Sequence, residues 1–291
     1  MVLNVEGPSR VTRHVFNAAK SRAGTDTALP GRAQNIGASL LRGVAIAVLL
    51  AAAWQAIVFV SDLPPFVLPG PFQVMASLSG NFSYLLGHAA ITAGEILTGL
   101  VLGLVLGVVT GLGMALSASA ARLVFPVVLA TQALPVFAIA PLLVLWFGFG
   151  LASKIIMATL IIYFPITSAF FDGLRRTDPD LLDLGRIAGA SPLQSLLQLR
   201  LPSALPSLSS GLRVGASLAP IGAVVGEWVG SSAGLGFVML HANGRMQTDL
   251  MFAALFILAV FVVVLRIATD QLTRRLVFWM PENQPGFLIS T

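Results

Sequence analysis

Two glutamates, Glu95 and Glu227, stand inside stretches of sequence that are otherwise almost free of charge. A carboxylate inside an apolar, membrane-like segment is costly unless it faces a cavity or a partner, so both are candidate solute-path residues. Trp228 follows the second glutamate in the glycine-rich stretch "GAVVGEWVGSSAGLG", where the backbone could bend around a ligand. A structural interpretation stays open for each residue type: Glu95 pairs with a basic residue or snorkels to the interface, and Trp228, like Trp146, belongs to an aromatic interface belt.

A second candidate path site lies in a proline-containing apolar stretch and consists of Gln132, Pro135 and Pro141. Proline leaves a backbone carbonyl without its helical partner, which a membrane segment tolerates only where protein or water satisfies the carbonyl. These three residues therefore join Glu95 and Glu227 as candidates for lining a solute path.

The composition indicates which elements must position these residues. The chain is 56% hydrophobic and only 10% charged, whereas soluble domains carry about 25% charged residues. Long windows with almost no charge predict transmembrane helices, hence an all-α membrane protein of about six spans. The predicted spans are 43–61, 89–116, 123–147, 152–171, 207–230 and 250–270.

Three regions follow from this reading: a polar tail over 1–42 that we expect to be disordered, a transmembrane domain over 43–280, and a short tail over 281–291. If the N-terminus lies in the cytoplasm, thirteen lysines and arginines fall in cytoplasmic segments, and only Lys154 and Arg245 fall in outer loops. This bias predicts that both termini are cytoplasmic.

Four glycines of the second predicted span, Gly99, Gly103, Gly107 and Gly111, follow one another at intervals of four residues. This spacing places them on one helix face, where a neighbouring helix can approach closely. The prediction concerns packing and not chemistry.

Several kinds of chemistry are excluded or disfavoured. The chain has no cysteine, its three histidines lie far apart, and it contains no GxxxxGK[ST] motif, so it lacks a P-loop for ATP. A membrane enzyme is disfavoured because no usable catalytic spacing occurs. An ion-gradient-driven secondary transporter stays as an alternative, although no internal repeat is evident.

A structured polar segment, 177–202, separates the fourth and fifth predicted spans. Asp178 and Pro179 predict a helix start, and Gly189 predicts its left-handed end. Ser191 and Pro192 predict a second short helix, which Leu201 and Pro202 are expected to close. The apolar faces of these helices suit either the lipid surface or a groove on a cytoplasmic partner.

The spacing in this segment resembles the EAA loop of bacterial ABC importer permeases. Asp183, Leu184 and Gly185 stand at the Glu-Ala-Ala positions, Gly189 stands at the loop glycine, and Leu201 with Pro202 stands at the closing Leu-Pro. The departures are Asp for Glu and Leu-Gly for Ala-Ala. The stretches "LPGPFQVMASL" and "QALPVFAIAPLLVLWFGFGLASKI" extend the resemblance to permeases for sulfonates, taurine, nitrate and thiamine-precursor pyrimidines.

The resemblance implies a type I ABC importer permease fold in a bacterial inner membrane, with segment 177–202 acting as coupling helices. It implies two separate ATPase subunits that bind ATP and Mg²⁺, a second permease copy, and a periplasmic or lipid-anchored solute-binding protein. No cofactor is expected on this chain. Sulfonate-type relatives often carry an arginine where this chain reads "HAAITAGE". Glu95 therefore favours a neutral or cationic solute such as hydroxymethylpyrimidine, with a sulfonate, taurine or nitrate as the alternative.

Overall fold

The computed structural model describes the backbone of residues 32–279 and the side chains of residues 41–279 except residue 136. Most of the predicted N-terminal tail, residues 1–31, and the predicted tail 281–291 lie outside this described part. Within residues 32–279 the chain forms helices and no strand. The fold divides after Ile57 into two units, and the second begins at Val58.

Eleven α-helices follow one another along residues 32–279. They are α1 (Arg32–Ser61), α2 (Pro71–Gly80), α3 (Phe82–Leu116), α4 (Ala118–Ala133), α5 (Val136–Phe147), α6 (Leu151–Arg175), α7 (Pro179–Ile187), α8 (Pro192–Ser195), α9 (Leu201–Gly230), α10 (Leu235–Gly244) and α11 (Thr248–Leu276). Five described segments are long and apolar enough to cross a membrane, and α4 with α5 makes a sixth if the bent pair counts as one span. The predicted six-span, all-α architecture is confirmed.

One predicted boundary needs correction, and one helix was not predicted. Helix α1 begins at Arg32, so residues 32–42 are helical and not a disordered tail. Extending an existing helix by a few residues costs little free energy, because the main cost lies in nucleation. The helix therefore continues beyond its apolar part. Helix α10 was not predicted from the sequence, because the glycine-rich stretch that precedes it is typical of a loop.

The third predicted span, 123–147, contains Pro126, Pro135 and Pro141, each of which was expected to break it, and the structure breaks it only at Pro135. Helices α4 and α5 meet at an angle of 104°. Leu134, which precedes Pro135, has an extended conformation with ψ 125°, as expected from the steric clash of the proline ring with the preceding residue. Pro126 and Pro141 lie inside α4 and α5 without ending them.

Helix α6 is the centre of the described fold, and the predicted glycine row faces it. A Cβ on Gly99 would lie 2.7 Å from the Ala158 Cβ, and a Cβ on Gly103 would lie 2.9 Å from Ile162 Cγ2. The other two glycines of α3 contact α6 at the same interval, Gly107 against Ile166 and Gly111 against Phe170. The predicted close helix approach is confirmed.

A second set of glycines, on α9, contacts the same central helix. A Cβ on Gly211 would lie 2.7 Å from the Pro165 carbonyl oxygen, and a Cβ on Gly222 would lie 2.7 Å from the Ala158 Cα. Gly215 and Gly226 meet Ile162 and Lys154 in the same way. Helix α6 therefore packs between two glycine-lined helices, which lets three backbones approach without an intervening layer of side chains.

We expect Gly222→Ala to lower the thermal stability of the detergent-solubilised protein. The added methyl group would meet the backbone of Ala158, which cannot rotate away, and such overpacking costs about 1–3 kcal/mol. Gly94→Ala is the matched control, because nothing lies within 4 Å of a Cβ built at that position of α3. Equal unfolding temperatures for the two variants would contradict the close approach of α6 and α9.

Candidate functional site

The first half of the segment between α6 and α9 is a short helix, α7, whose start is capped by the residue directly before it. The Asp178 side chain accepts a hydrogen bond from the Asp180 N–H at 2.9 Å, and Pro179 occupies the first helical turn. Asp183 forms an ion pair with Arg186 at 2.8 Å, and both side chains are mostly exposed. The predicted helix start is confirmed, and it depends on local contacts alone.

The corner after α7 has the geometry that the sequence predicts. Gly189 has φ +77°, and its N–H donates to the Arg186 carbonyl at 3.0 Å, while the Ala190 N–H donates to the Gly185 carbonyl at 2.9 Å. This hydrogen-bond pair is a Schellman motif, which favours glycine at the left-handed position. Gly185 also has a packing role, because a Cβ there would lie 2.7 Å from Leu199 Cδ1.

The sequence predicts that the second short helix ends at Leu201–Pro202. In the structure the helix continues past these residues. Helix α8 starts at the Ser191 cap, passes through a π-helical turn over Leu196–Arg200, and continues as α9. Pro202 has no N–H and would leave a helical carbonyl unpaired. The π turn changes the local pairing, with the Leu201 N–H donating to the Leu196 carbonyl, so the helix passes the proline.

Two residues that the sequence did not single out anchor this continuous helix to the rest of the protein. Leu196 is 3% exposed and packs with Phe170, Leu174 and Ala204. Arg200 donates from Nε to the Leu174 carbonyl at 3.1 Å and from a terminal nitrogen to the Ala115 carbonyl at 3.4 Å. A displacement of this helix would therefore be transmitted to the ends of α3 and α6.

Helix α7, in contrast, presents an apolar surface with no cover among the described residues. Ile187 is 85% exposed and Leu184 is 62% exposed, and no residue of α7 is buried. Leu193, on α8, is 56% exposed. We call Leu184, Ile187 and Leu193 the exposed apolar face of the segment.

The two candidate glutamates come together in a buried cluster. Glu95 and Glu227 are each 1% exposed, and their carboxyl groups are neighbours. Lys154 Nζ lies 3.8 Å from a Glu95 carboxylate oxygen and is itself 4% exposed. The prediction that Lys154 lies in an outer loop is wrong: it lies in the first turn of α6, where its charge offsets that of Glu95.

Glu227 holds the stretch of chain that leads from α9 into α10. Its carboxylate accepts hydrogen bonds from the Thr92 hydroxyl at 2.6 Å and from the Gly236 N–H. The Leu235 N–H donates to the Thr92 oxygen at 2.8 Å, so one hydroxyl bridges α3, α9 and α10. A Cβ on Gly234 would overlap the Glu227 carboxylate. These bonds are consistent with a structural role for Glu227, and its path role stays a prediction.

The remaining path candidates are distributed over other places. Gln132 lines a cavity of about 370 Å³ between α4, α5, α6 and α9, and Trp228 lines a different cavity of about 440 Å³ beside α10 and α11. Pro135 is the capping residue before α5, and Pro141 lies within the helix. The structure thus brings Glu95 and Glu227 together and does not gather the six candidates into one site.

The inference from Glu95 to a neutral or cationic solute loses its basis in this geometry. That inference treats the carboxylate as a free negative charge beside the solute path. The ion pair with Lys154 and the nearly complete burial of both groups instead give the glutamate a partner inside the protein. The structural interpretation of Glu95 is the one that the contacts support.

The helix arrangement agrees with what comparison with known proteins finds. The family model described as the inner membrane component of binding-protein-dependent transport systems matches residues 99–278. The chain belongs to this family. It is an ABC importer permease with the type I fold, a membrane-embedded transport component.

Named relatives of the permease fall into several solute classes. A probable ABC transporter permease of Haemophilus influenzae is 48% identical over 82% of this chain and 98% of its own. A formylaminopyrimidine transport permease of Halalkalibacterium halodurans is 37% identical over 74% and 86%, and a riboflavin transport permease of Chloroflexus aurantiacus is 40% identical over 79% and 87%. A taurine transport permease of Escherichia coli is 30% identical over 82% and 89%.

A solved structure supports the fold. The permease matches a chain from inward-facing conformations of the MetNI methionine ABC transporter with a TM-score of 0.58 and 22% identity, over 66% of this chain and 96% of that one. At this identity the likeness concerns the arrangement of helices and carries no information on the solute.

Proposed function

We propose that the permease is the transmembrane half of an ATP-driven importer and that separate ATPase subunits dock on its exposed apolar face. The observation that carries this proposal is Ile187, which is 85% exposed on a helix held by its own caps. An apolar side chain of this size, presented on a rigid helix beside Leu184, is the kind of anchor that inserts into a groove on a partner. The sequence contains no P-loop, so ATP must be hydrolysed elsewhere.

The proposed assembly contains two permease copies, two ATPase subunits that hold ATP and Mg²⁺, and a periplasmic or lipid-anchored binding protein. Both termini and the exposed apolar face lie on the cytoplasmic side of a bacterial inner membrane, as the charge bias indicates. ATP-driven movement of the docked subunits displaces α7. Because α8 continues into α9, the displacement reaches a membrane-spanning helix directly.

For the solute we propose an uncharged nitrogen heterocycle, of the class of hydroxymethylpyrimidine-type thiamine precursors. The support comes from the cavity of about 370 Å³ that Gln132 lines. Its described lining contains Thr131 and Gln132 as polar residues, the Phe164 ring, and no charged side chain. An apolar pocket with one amide suits a flat polar ring, whereas a sulfonate would be bound better by a cation.

The relatives support the same choice. The permeases named for formylaminopyrimidine and riboflavin, both ring-containing solutes, are 37% and 40% identical to this chain. The taurine permease is 30% identical. A sulfonate or taurine solute is therefore the second candidate. The family membership gives no support to an ion-gradient-driven secondary transporter.

We expect proteoliposomes that contain the permease, its ATPase and its binding protein to accumulate labelled hydroxymethylpyrimidine only when ATP is supplied. Gln132→Leu should reduce uptake about five- to tenfold, the effect of losing one hydrogen bond to the solute. The basal ATPase rate should be unchanged. Gln271→Leu, the same substitution at an exposed position of α11 outside the described lining of this cavity, is the control variant. Uptake of taurine alone would reject the proposed solute, and uptake without ATP would reject the importer mechanism.

A further inference from the structure

Three arginines from three different elements line one cavity at the ends of α3 and α6. The cavity has a volume of about 480 Å³. Arg122 comes from the first turns of α4, Arg175 from the last turn of α6, and Arg200 from the π turn before α9. The other lining residues are apolar and include Phe125 and Phe171, whose ring centroids are 5.7 Å apart.

None of these three guanidinium groups forms an ion pair with a carboxylate among the described residues. Arg122 donates to its own helix at 3.4 Å, and Arg175 lies over the Phe171 ring at 5.6 Å. Arg200 uses two of its donors for backbone carbonyls. Arginines elsewhere in the fold do have acidic partners, as Arg213 has Asp270 at 3.1 Å. The cavity therefore concentrates positive charge that this part of the protein does not neutralise.

The position of the cavity indicates the source of a negative charge. The spans α3 and α6 end at Leu116 and Arg175, and the charge bias of the sequence makes this end cytoplasmic. Arginines at the cytoplasmic end of a span lie at the depth of lipid headgroups, and basic pockets between spans at this depth bind phosphate-bearing headgroups. The Phe125–Phe171 side of the cavity provides an apolar surface for the start of an acyl chain.

We propose that this arginine cavity binds the phosphate group of an anionic phospholipid from the cytoplasmic leaflet. The guanidinium groups donate charge-assisted hydrogen bonds to the phosphate oxygens, and the two phenylalanine rings contact the lipid chain. Because Arg200 belongs to the π turn, the bound lipid connects the α3–α4 corner with the helix that leads from the coupling segment into α9. A phospholipid and a free phosphate ion share this headgroup chemistry, so the test must separate them.

The test measures the affinity of the purified permease, in detergent, for phosphatidylglycerol and for phosphatidylcholine by native mass spectrometry. The double variant Arg122→Gln/Arg175→Gln removes two exposed charges without disturbing the backbone contacts of Arg200. We expect phosphatidylglycerol affinity to fall about tenfold or more, given about 1 kcal/mol for each arginine near a charged headgroup. Phosphatidylcholine binding should change little.

The control is Arg274→Gln/Arg275→Gln at the end of α11, which removes the same charge on the same predicted side of the membrane. An equal fall in this control would show that general surface charge is responsible and would overturn the proposal. Inorganic phosphate that competes fully with phosphatidylglycerol at equal concentration would identify a free-ion site instead. Phosphatidylglycerol that binds the permease alone and is displaced by the ATPase subunit would assign the cavity to the partner protein.

Discussion

Replacing Ile187 by aspartate will abolish ATP-driven uptake while leaving the permease folded. The side chain is 85% exposed, so the substitution disturbs no internal packing of the described protein. On docking, however, the aspartate would be buried in an apolar groove, and an unpaired buried charge costs several kcal/mol. Since 1.4 kcal/mol corresponds to a tenfold change in affinity, we expect association with the ATPase to fall at least a hundredfold.

Co-purification of the ATPase with the tagged permease and solute uptake in proteoliposomes would measure this effect. Ile187→Val keeps an apolar side chain and should retain most of both activities. Met246→Asp is a second control, because Met246 is 66% exposed just beyond the end of α10, on the predicted outer side. Normal ATPase binding by Ile187→Asp, or equal loss in Met246→Asp, would contradict docking on the exposed apolar face.

Replacing Lys154 by methionine should destabilise the permease by about 1–3 kcal/mol, because it leaves the buried Glu95 carboxyl without its polar partner. The Lys154 ammonium nitrogen lies 3.8 Å from a carboxylate oxygen of Glu95. The carboxyl group of Glu227 is a second neighbour of Glu95. No hydrogen-bond partner of either Glu95 carboxylate oxygen is found among the described residues. The glutamate therefore depends on the ammonium group.

A double-mutant cycle tests this dependence through thermal unfolding in detergent. Glu95→Gln added to Lys154→Met removes the carboxylate that the first substitution leaves unpaired, so the double variant should be more stable than Lys154→Met alone. Arg245→Gln, an exposed change on the predicted outer side, should have no effect beyond about 0.5 kcal/mol. A double variant no more stable than Lys154→Met would mean that Glu95 and Lys154 do not interact.

The local parts of segment 177–202 could be predicted from the sequence because their causes are local. Asp178 and Gly189 satisfy backbone groups only two to five residues away, and residue type and spacing decide such bonds. The predicted end at Pro202 failed for the opposite reason. Burial of Leu196 and the bonds of Arg200 to α3 and α6 hold the helix through the π turn, and these contacts come from distant parts of the chain.

The glycine rows show the same division. The regular spacing from Gly99 to Gly111 predicted a close helix contact, but the identity of the partner, α6, requires the tertiary structure. The second row on α9 has less regular intervals and gave no signal by itself. It becomes visible only because Ala158 and Ile162 of α6 contact glycines on both sides.

By itself, the sequence determined that this is a helical membrane protein, which of its segments span, and where the helix–corner–helix segment lies, since apolar length, charge bias and capping are properties of short stretches. Only the tertiary structure decided that Glu95 is paired with Lys154, that Glu227 fixes the approach to α10, and that Ile187 is left uncovered. The physical reason is that burial and pairing depend on which distant residues meet, and residue spacing along the chain does not contain that information.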